Sequence, residues 1–243
     1  MKPIALFQHS LFAEPGFVQE YLDEKGLPWQ LFRVDLGDPT PASARDFSGL
    51  CFLGGVMSVN DPAPWIGEEI ALIHEADAAG VPMVGHCFGS QLMAKAFGAS
   101  VMRNPVKEIG WGRMTAHDTA TTREWLGLNG PVTVPSFQWH GDTFDVPPGA
   151  ELFLSSDYCK NQGFVIGDRH LGMQCHLEMT PELVRKCTVK GAREVERELQ
   201  TNTSGSVQDI PAMLEDLESR SAQINATMRA LYDRWIKGLA IER

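Results

Sequence analysis

Gly85-His86-Cys87-Phe88-Gly89 lies between Val81-Pro82-Met83-Val84 and Gln91-Leu92-Met93-Ala94-Lys95-Ala96-Phe97. The run before it is apolar and strand-sized, and the run after it suits a helix, so the stretch reads as strand, sharp turn and helix. Glycines two residues before and after Cys87 permit a strained elbow, because a Cβ at either position would crowd the turn. Such an elbow lifts a side chain out of the sheet and sets it over the first turn of the helix. Unpaired N–H groups and the helix dipole at that point favour a thiolate. Cys87 is therefore a candidate nucleophile, against the plainer alternative of a cysteine buried in a core turn.

A thiolate at an elbow needs a proton shuttle. Of the seven histidines, His176 has a carboxylate two residues on, in Gln174-Cys175-His176-Leu177-Glu178. Leu171-Gly172-Met173-Gln174-Cys175 reads as a short strand, and side chains at i and i+2 of a strand face the same way. Glu178 can then bond one ring nitrogen of His176, fix its tautomer and leave the other nitrogen for a thiol. Thr180-Pro181-Glu182 reads as N-cap, first helical position and first-turn acid. The pair would thus sit at the carboxyl end of a strand, where open α/β sheets bind ligands. His140, with Asp142 two residues on, is the second choice for the base, and a structural, hydrogen-bonded role suits it better. His86 reads as a packed neighbour of Cys87 rather than a base.

The rest of the chain supports an α/β enzyme of one domain. Its 243 residues suffice for a full core. A net charge of −10 and the lack of a basic run argue against a nucleic-acid partner. The longest apolar stretches are strand-sized and the N-terminus turns polar early, so neither a membrane span nor a signal peptide is expected. Five cysteines without a close spacing motif favour a reduced, cytoplasmic protein, and no Cys/His spacing suits a structural metal. Strands are expected at 3–7, 29–34 and 50–53, and helices at 17–25 and 65–79. Residues 101–172 read as short β-like pieces, with Asp157-Tyr158-Cys159-Lys160 as a rim loop over the cleft. One helical segment from Thr180 to about Gln200 precedes the polar loop 201–206. A last helix carries an apolar stripe at Leu214, Leu217, Ile224, Met228, Leu231 and Trp235.

Three motifs in order resemble the class I glutamine amidotransferases. They are Gly85-His86-Cys87-Phe88-Gly89-Ser90-Gln91, Gln174-Cys175-His176-Leu177-Glu178, and the turn Gly54-Gly55-Val56, where the family has Gly-Gly-Pro. Phe137-Gln138-Trp139-His140-Gly141-Asp142-Thr143-Phe144 is similar to the stand-alone members, which have plant γ-glutamyl peptidases among their relatives. The resemblance implies a doubly wound mixed sheet with flanking helices, flavodoxin-like, over residues 1–204, and a helical extension over 205–243 packed on that domain or on a twin subunit. It implies a Cys87-His176-Glu178 triad, an oxyanion hole from the N–H groups of Gly55 and Phe88, and substrate contacts from Gln91, Trp139, Gly141 and Asp142. For Gln91, a polar residue on a helix surface is an equal alternative. Leu177, Val56 and Cys175 depart from the family pattern without removing a catalytic group. No cofactor or metal is implied. The expected activity is cleavage of a γ-glutamyl amide through a thioester. The alternatives are a glutaminase subunit feeding a synthase on a partner chain and a silent regulatory protein. A homo-oligomer stays open, and neither nucleic acid nor membrane is an expected partner.

Overall fold

The computed structural model describes residues 1–239. Strands Ile4–Gln8 (β1), Trp29–Arg33 (β2), Gly49–Phe52 (β3) and Met83–His86 (β4) alternate with helices Phe17–Glu24 (α1) and Pro64–Ala79 (α2), and Phe88–Ala96 (α3) follows β4 directly. Alternate residues of the strands are buried on opposite faces, as a sheet covered on both sides requires. Ile4 and Leu6 join one core cluster with Val18 and Leu22 of α1, whereas Ala5 and Phe7 join another with Ile66 and Ile73 of α2. Gly80, in the left-handed conformation at φ 74°, closes α2.

The second half adds Val101–Ala116 (β5), helix Ala120–Leu126 (α4), Val132–Phe144 (β6), Ala150–Ser155 (β7), Gly163–Ile166 (β8) and His170–Met173 (β9). All nine strands form one sheet in the order β2-β1-β3-β4-β9-β8-β7-β5-β6. It is parallel from β2 to β9 and antiparallel from β9 to β6. The short pieces expected over 101–172 include two long strands, β5 and β6, paired along their length with a bulge between Arg103 and Glu108. Pro105 lies within that bulge, and Pro135 lies on β6, the sheet's last strand. Proline is tolerated at both kinds of position, so it did not mark strand ends here.

The chain ends in helices Pro181–Lys190 (α5), Ala192–Thr201 (α6), Ile210–Leu214 (α7) and Leu217–Trp235 (α8). Thr180 caps α5 by accepting from the Leu183 N–H, with Pro181 in the first turn. The single helix expected after Thr180 is broken at Gly191, where a Cβ would collide with the indole of Trp139. The last helix is likewise two, α7 and α8, with Asp216 at φ 50° between them. Leu217, Ile224, Met228, Leu231 and Trp235 are buried in the cluster that holds Ile4 and Leu6, so α8 packs on this chain's own sheet; Leu214 is exposed. Among the described residues no helix is long and apolar enough to cross a membrane.

Candidate active site

Cys87 follows the last residue of β4 and precedes the first of α3, at φ 48°. A non-glycine residue is rarely found in this region, and the strain is of order 1 kcal/mol or more. Its surroundings hold it there. The Cys87 N–H donates to the Met173 carbonyl at 2.7 Å, and its own carbonyl accepts from the Gln91 N–H at 3.0 Å and Ser90 Oγ at 2.7 Å. A Cβ on Gly85 would lie 2.6 Å from the backbone of Gly89, and one on Gly89 would run into the Phe52 carbonyl. Only glycine lets β4, α3 and β3 approach this closely.

Because β4 lies between β3 and β9, whatever follows these three strands meets at one edge of the sheet. Gly54 and Gly55 follow β3, and Gln174 to His176 follow β9. A Cβ on Gly54 would sit 3.2 Å from His176 Cε1 and 3.9 Å from Cys87 Cβ, which measures how tightly the three converge. Gln174 Nε2 donates to Cys87 Sγ at 3.5 Å. Phe88 opens α3, so its N–H has no acceptor within the helix. The Gly55 N–H has no acceptor among the described residues. His176 is fixed by its own N–H, which donates to the Phe137 carbonyl of β6 at 2.8 Å.

His176 Nδ1 and Glu178 Oε1 are 2.6 Å apart and both side chains are buried. Burial alone would push the His176 pKa down, but the Glu178 carboxylate and the Cys87 sulfur outweigh it and hold the imidazole well above its ordinary value. Burial pushes Glu178 up, and the charges of His176 and then His86 outweigh that and hold it well below the usual carboxylate range. His86 Nδ1 lies 3.0 Å from the other carboxylate oxygen, at an angle too poor for a full hydrogen bond, so the contact is electrostatic. His86 Nε2 is 2.7 Å from the Tyr232 hydroxyl of α8. His86 sits between the Tyr232 hydroxyl at Nε2 and the Glu178 carboxylate at Nδ1. His86 is thus a packed neighbour of Cys87, as expected, but one that clasps Glu178.

Two cavities open at Cys87. The smaller, about 190 Å³, is lined by Gln91, Trp139, Gly141 and Asp142 among others, so the four expected substrate contacts converge there. Gln91 Nε2 donates to the Asp142 carbonyl at 3.2 Å and to Gln174 Oε1 at 3.0 Å, which buries it as a brace for the cavity wall rather than leaving it on a helix surface. Asp142 is held by Ser58 Oγ at 3.1 Å and Arg103 at 3.1 Å. The larger cavity, about 420 Å³, is lined by Gly55, Cys87, Phe137, Trp139 and His176 and by residues of α5 and α6. Trp139 forms a wall of both, its Nε1–H donating to Glu194 at 3.0 Å.

His140 also lines the smaller cavity, but both its ring nitrogens are engaged in a buried network. Its Nε2 is 3.0 Å from Glu108 and its Nδ1 is 2.9 Å from the Asp142 carbonyl. Glu108, His140 and Cys159 present ligand atoms within 4.8 Å of one another, but Gln162, Ser156 and Thr143 already hydrogen-bond this group. The loop 157–160, expected to rim the cleft, lines neither cavity. Cys159 turns inward against Thr143 at 3.2 Å, and the Tyr158 hydroxyl is tied to the Ser204 carbonyl.

Two features escaped the sequence reading. Tyr232 carries no local signal, since a tyrosine on an apolar helix face reads as core. His9, buried at the end of β1, has Nδ1 3.2 Å from the Leu53 carbonyl, just before the glycine turn, and Nε2 2.9 Å from the buried Glu69. Its ring packs 4.8 Å from that of Phe88, and a Cβ on Gly55 would lie 3.3 Å from His9 Cβ. The pair therefore underlies both backbone N–H groups beside Cys87. A polar residue at the carboxyl end of an expected strand was the available signal.

The sequence profile of the family "Glutamine amidotransferase class-I" matches residues 17–190. A crystal structure of a glutamine amido transferase from Methylobacillus flagellatus superposes with a TM-score of 0.95 at 40% identity, covering 100% of this chain and 97% of that one. The glutamine amidotransferase-like protein YfeJ of Salmonella typhimurium is 31% identical over 182 residues, 72% of this chain and 75% of its own. Gamma-glutamyl peptidase 3 of Arabidopsis thaliana is 27% identical over 167 residues, 66% of this chain and 67% of its own.

Proposed function

The chain belongs to the class I glutamine amidotransferases, and from that premise we propose that it hydrolyses a γ-glutamyl amide through a thioester on Cys87. The convergence of Cys87, the His176–Glu178 pair and two unengaged N–H groups at one sheet edge carries this reading. Cys87 Sγ attacks the side-chain amide carbon, and the carbon–oxygen double bond opens to an oxyanion held by the N–H groups of Gly55 and Phe88. One such donor contributes about 3 kcal/mol to lowering the barrier. The intermediate collapses as the carbon–nitrogen bond breaks, and His176 gives its proton to the leaving nitrogen, which departs as ammonia or an amine. His176 then takes a proton from water, whose oxygen attacks the thioester carbon. The carbon–sulfur bond breaks, releasing the γ-carboxyl group, which loses its proton to solvent, and restoring the thiolate beside protonated His176. Glu178 orients the ring throughout. The smaller cavity, with Gln91, Trp139, Gly141 and Asp142, suits the amino-acid end of the glutamyl group.

The test uses the purified chain by itself, with glutamine and γ-glutamyl peptides as substrates. Release of ammonia or amine is expected without a partner protein. Cys87→Ala should lower turnover by at least 10³-fold, the scale of losing a covalent nucleophile. A glutamine analogue with an electrophilic side chain should label Cys87 alone of the five cysteines. Labelling at Cys175 or Cys187, or activity only after a cell extract is added, would count against the reading.

A further inference from the structure

The two cavities that meet at Cys87 are unequal, and His176 lines only the larger. If His176 protonates the leaving nitrogen, the leaving group lies in the larger cavity and the glutamyl chain in the smaller. Ammonia is the size of a water molecule, which about 15 Å³ of cavity already admits. A space of about 420 Å³ is far more than ammonia uses and falls in the range that holds a small organic ligand.

The walls indicate what that ligand carries. Phe12, Phe137, Trp139 and Met179 give the cavity apolar sides. Its acids are already matched: Glu14 by Lys186 at 3.0 Å, Glu194 by Lys107 and the Trp139 N–H, and Glu178 by His176 and His86. Lys190 and Arg193, exposed at the junction of α5 and α6, have no carboxylate partner among the described residues. Lys190 Nζ lies 4.8 Å from the Phe12 ring centre, which holds a cation directly above an apolar wall.

We propose that the larger cavity is a leaving-group subsite for an amino acid or short peptide with an apolar side chain and a free carboxylate. Lys190 and Arg193 receive the carboxylate, and Phe12, Phe137 and Trp139 receive the side chain. The substrate class is then γ-glutamyl peptides, and the proposal rests on the thioester reading of Cys87.

The experiment compares kcat/KM for glutamine, γ-glutamyl-phenylalanine and γ-glutamyl-phenethylamine, which is the same compound without its carboxylate. The peptide is expected to exceed the phenethylamine by about tenfold, the scale of charge-assisted contacts at a partly exposed site. In the Lys190→Gln/Arg193→Gln protein that ratio should collapse toward one, and Lys190→Arg with Arg193→Lys should restore it. Equal rates for peptide and phenethylamine in the native protein would overturn the subsite, while ammonia release from glutamine would leave the thioester chemistry standing. A ratio unchanged by the double substitution would overturn the assignment of these two cations. Absence of an acyl-enzyme by intact mass with any of the three compounds would overturn the thioester reading and the subsite with it.

Discussion

At the residue scale, the decisive interaction is the buried His176–Glu178 pair, because it sets which protons are available. His176 is held above its ordinary pKa, so its proton stabilises the fold fully below about pH 6.5 and is lost as pH rises through the raised value. Glu178 is held below its ordinary value, so its charge stabilises the fold above about pH 4.3 and is lost only as pH falls through the lowered value. In the proposed mechanism protonated His176 is the donor to the leaving nitrogen, so kcat/KM should fall on the alkaline side as that proton is lost. Glu178→Gln removes the main influence raising the His176 pKa and should move the alkaline limb to lower pH, measured by pH–rate profiles. An unmoved limb would mean that another group sets it. The other thiols stand apart from this chemistry. Burial pushes Cys51 and Cys187 each up to about 12, which leaves them protonated and poor nucleophiles near neutrality.

At the element scale, α8 reaches the proposed triad through β4. Val84 and His86 share a face of β4 by strand alternation, and that face looks toward α8, so the residue beside Cys87 meets Tyr232 rather than the cavity. Tyr232 in turn stacks edge-on against Tyr21 of α1, with ring centres 5.4 Å apart, and lies 3.7 Å from Cys51 Sγ. Tyr232→Phe keeps this packing and deletes the one O–H, leaving a buried ring nitrogen of His86 unpaired. A loss of about 1–3 kcal/mol in stability is expected for such an orphaned group, read by urea denaturation. A several-fold fall in kcat with KM little changed should accompany it, because Glu178 is then clasped from one side. A variant as active as the native chain would show that His86 and Tyr232 pack without positioning anything.

At the scale of the whole molecule, the candidate site depends on segments from both ends of the chain. The turn after β1 supplies His9 beneath the glycine turn, β6 supplies Trp139, and α8 closes the face opposite α2 and α3. Ending the chain after Ser204 would expose Ile224's, Met228's and Leu231's partners in the sheet and remove Tyr232 and Trp235, all buried here. Burying one side chain of this size contributes roughly 1.5–3 kcal/mol, so losing several exceeds the stability of an ordinary domain. The truncated chain is therefore expected to be insoluble or unfolded, checked by its yield and its near-ultraviolet circular dichroism. A folded, cooperative product would show that α8 is an accessory.

What could be read from sequence was what neighbouring residues decide. The elbow follows from two glycines around one cysteine and the α5 cap from Thr180-Pro181. The His176–Glu178 contact forms as the i, i+2 spacing leads one to expect, although β9 ends at Met173 and both residues lie beyond it. Each depends on backbone geometry over a few residues, and the order of motifs completed the family likeness. The tertiary structure decided what distant residues share. His86 and Tyr232 are 146 positions apart, and His9 and Glu69 are 60 apart, so no local pattern links them. The long β5–β6 pairing overrode the glycines and prolines within it, because partner strands rather than propensity fix the length of a ladder. The indole of Trp139, a wall of both cavities, is set against Gly191 by the packing of β6 on the break between α5 and α6.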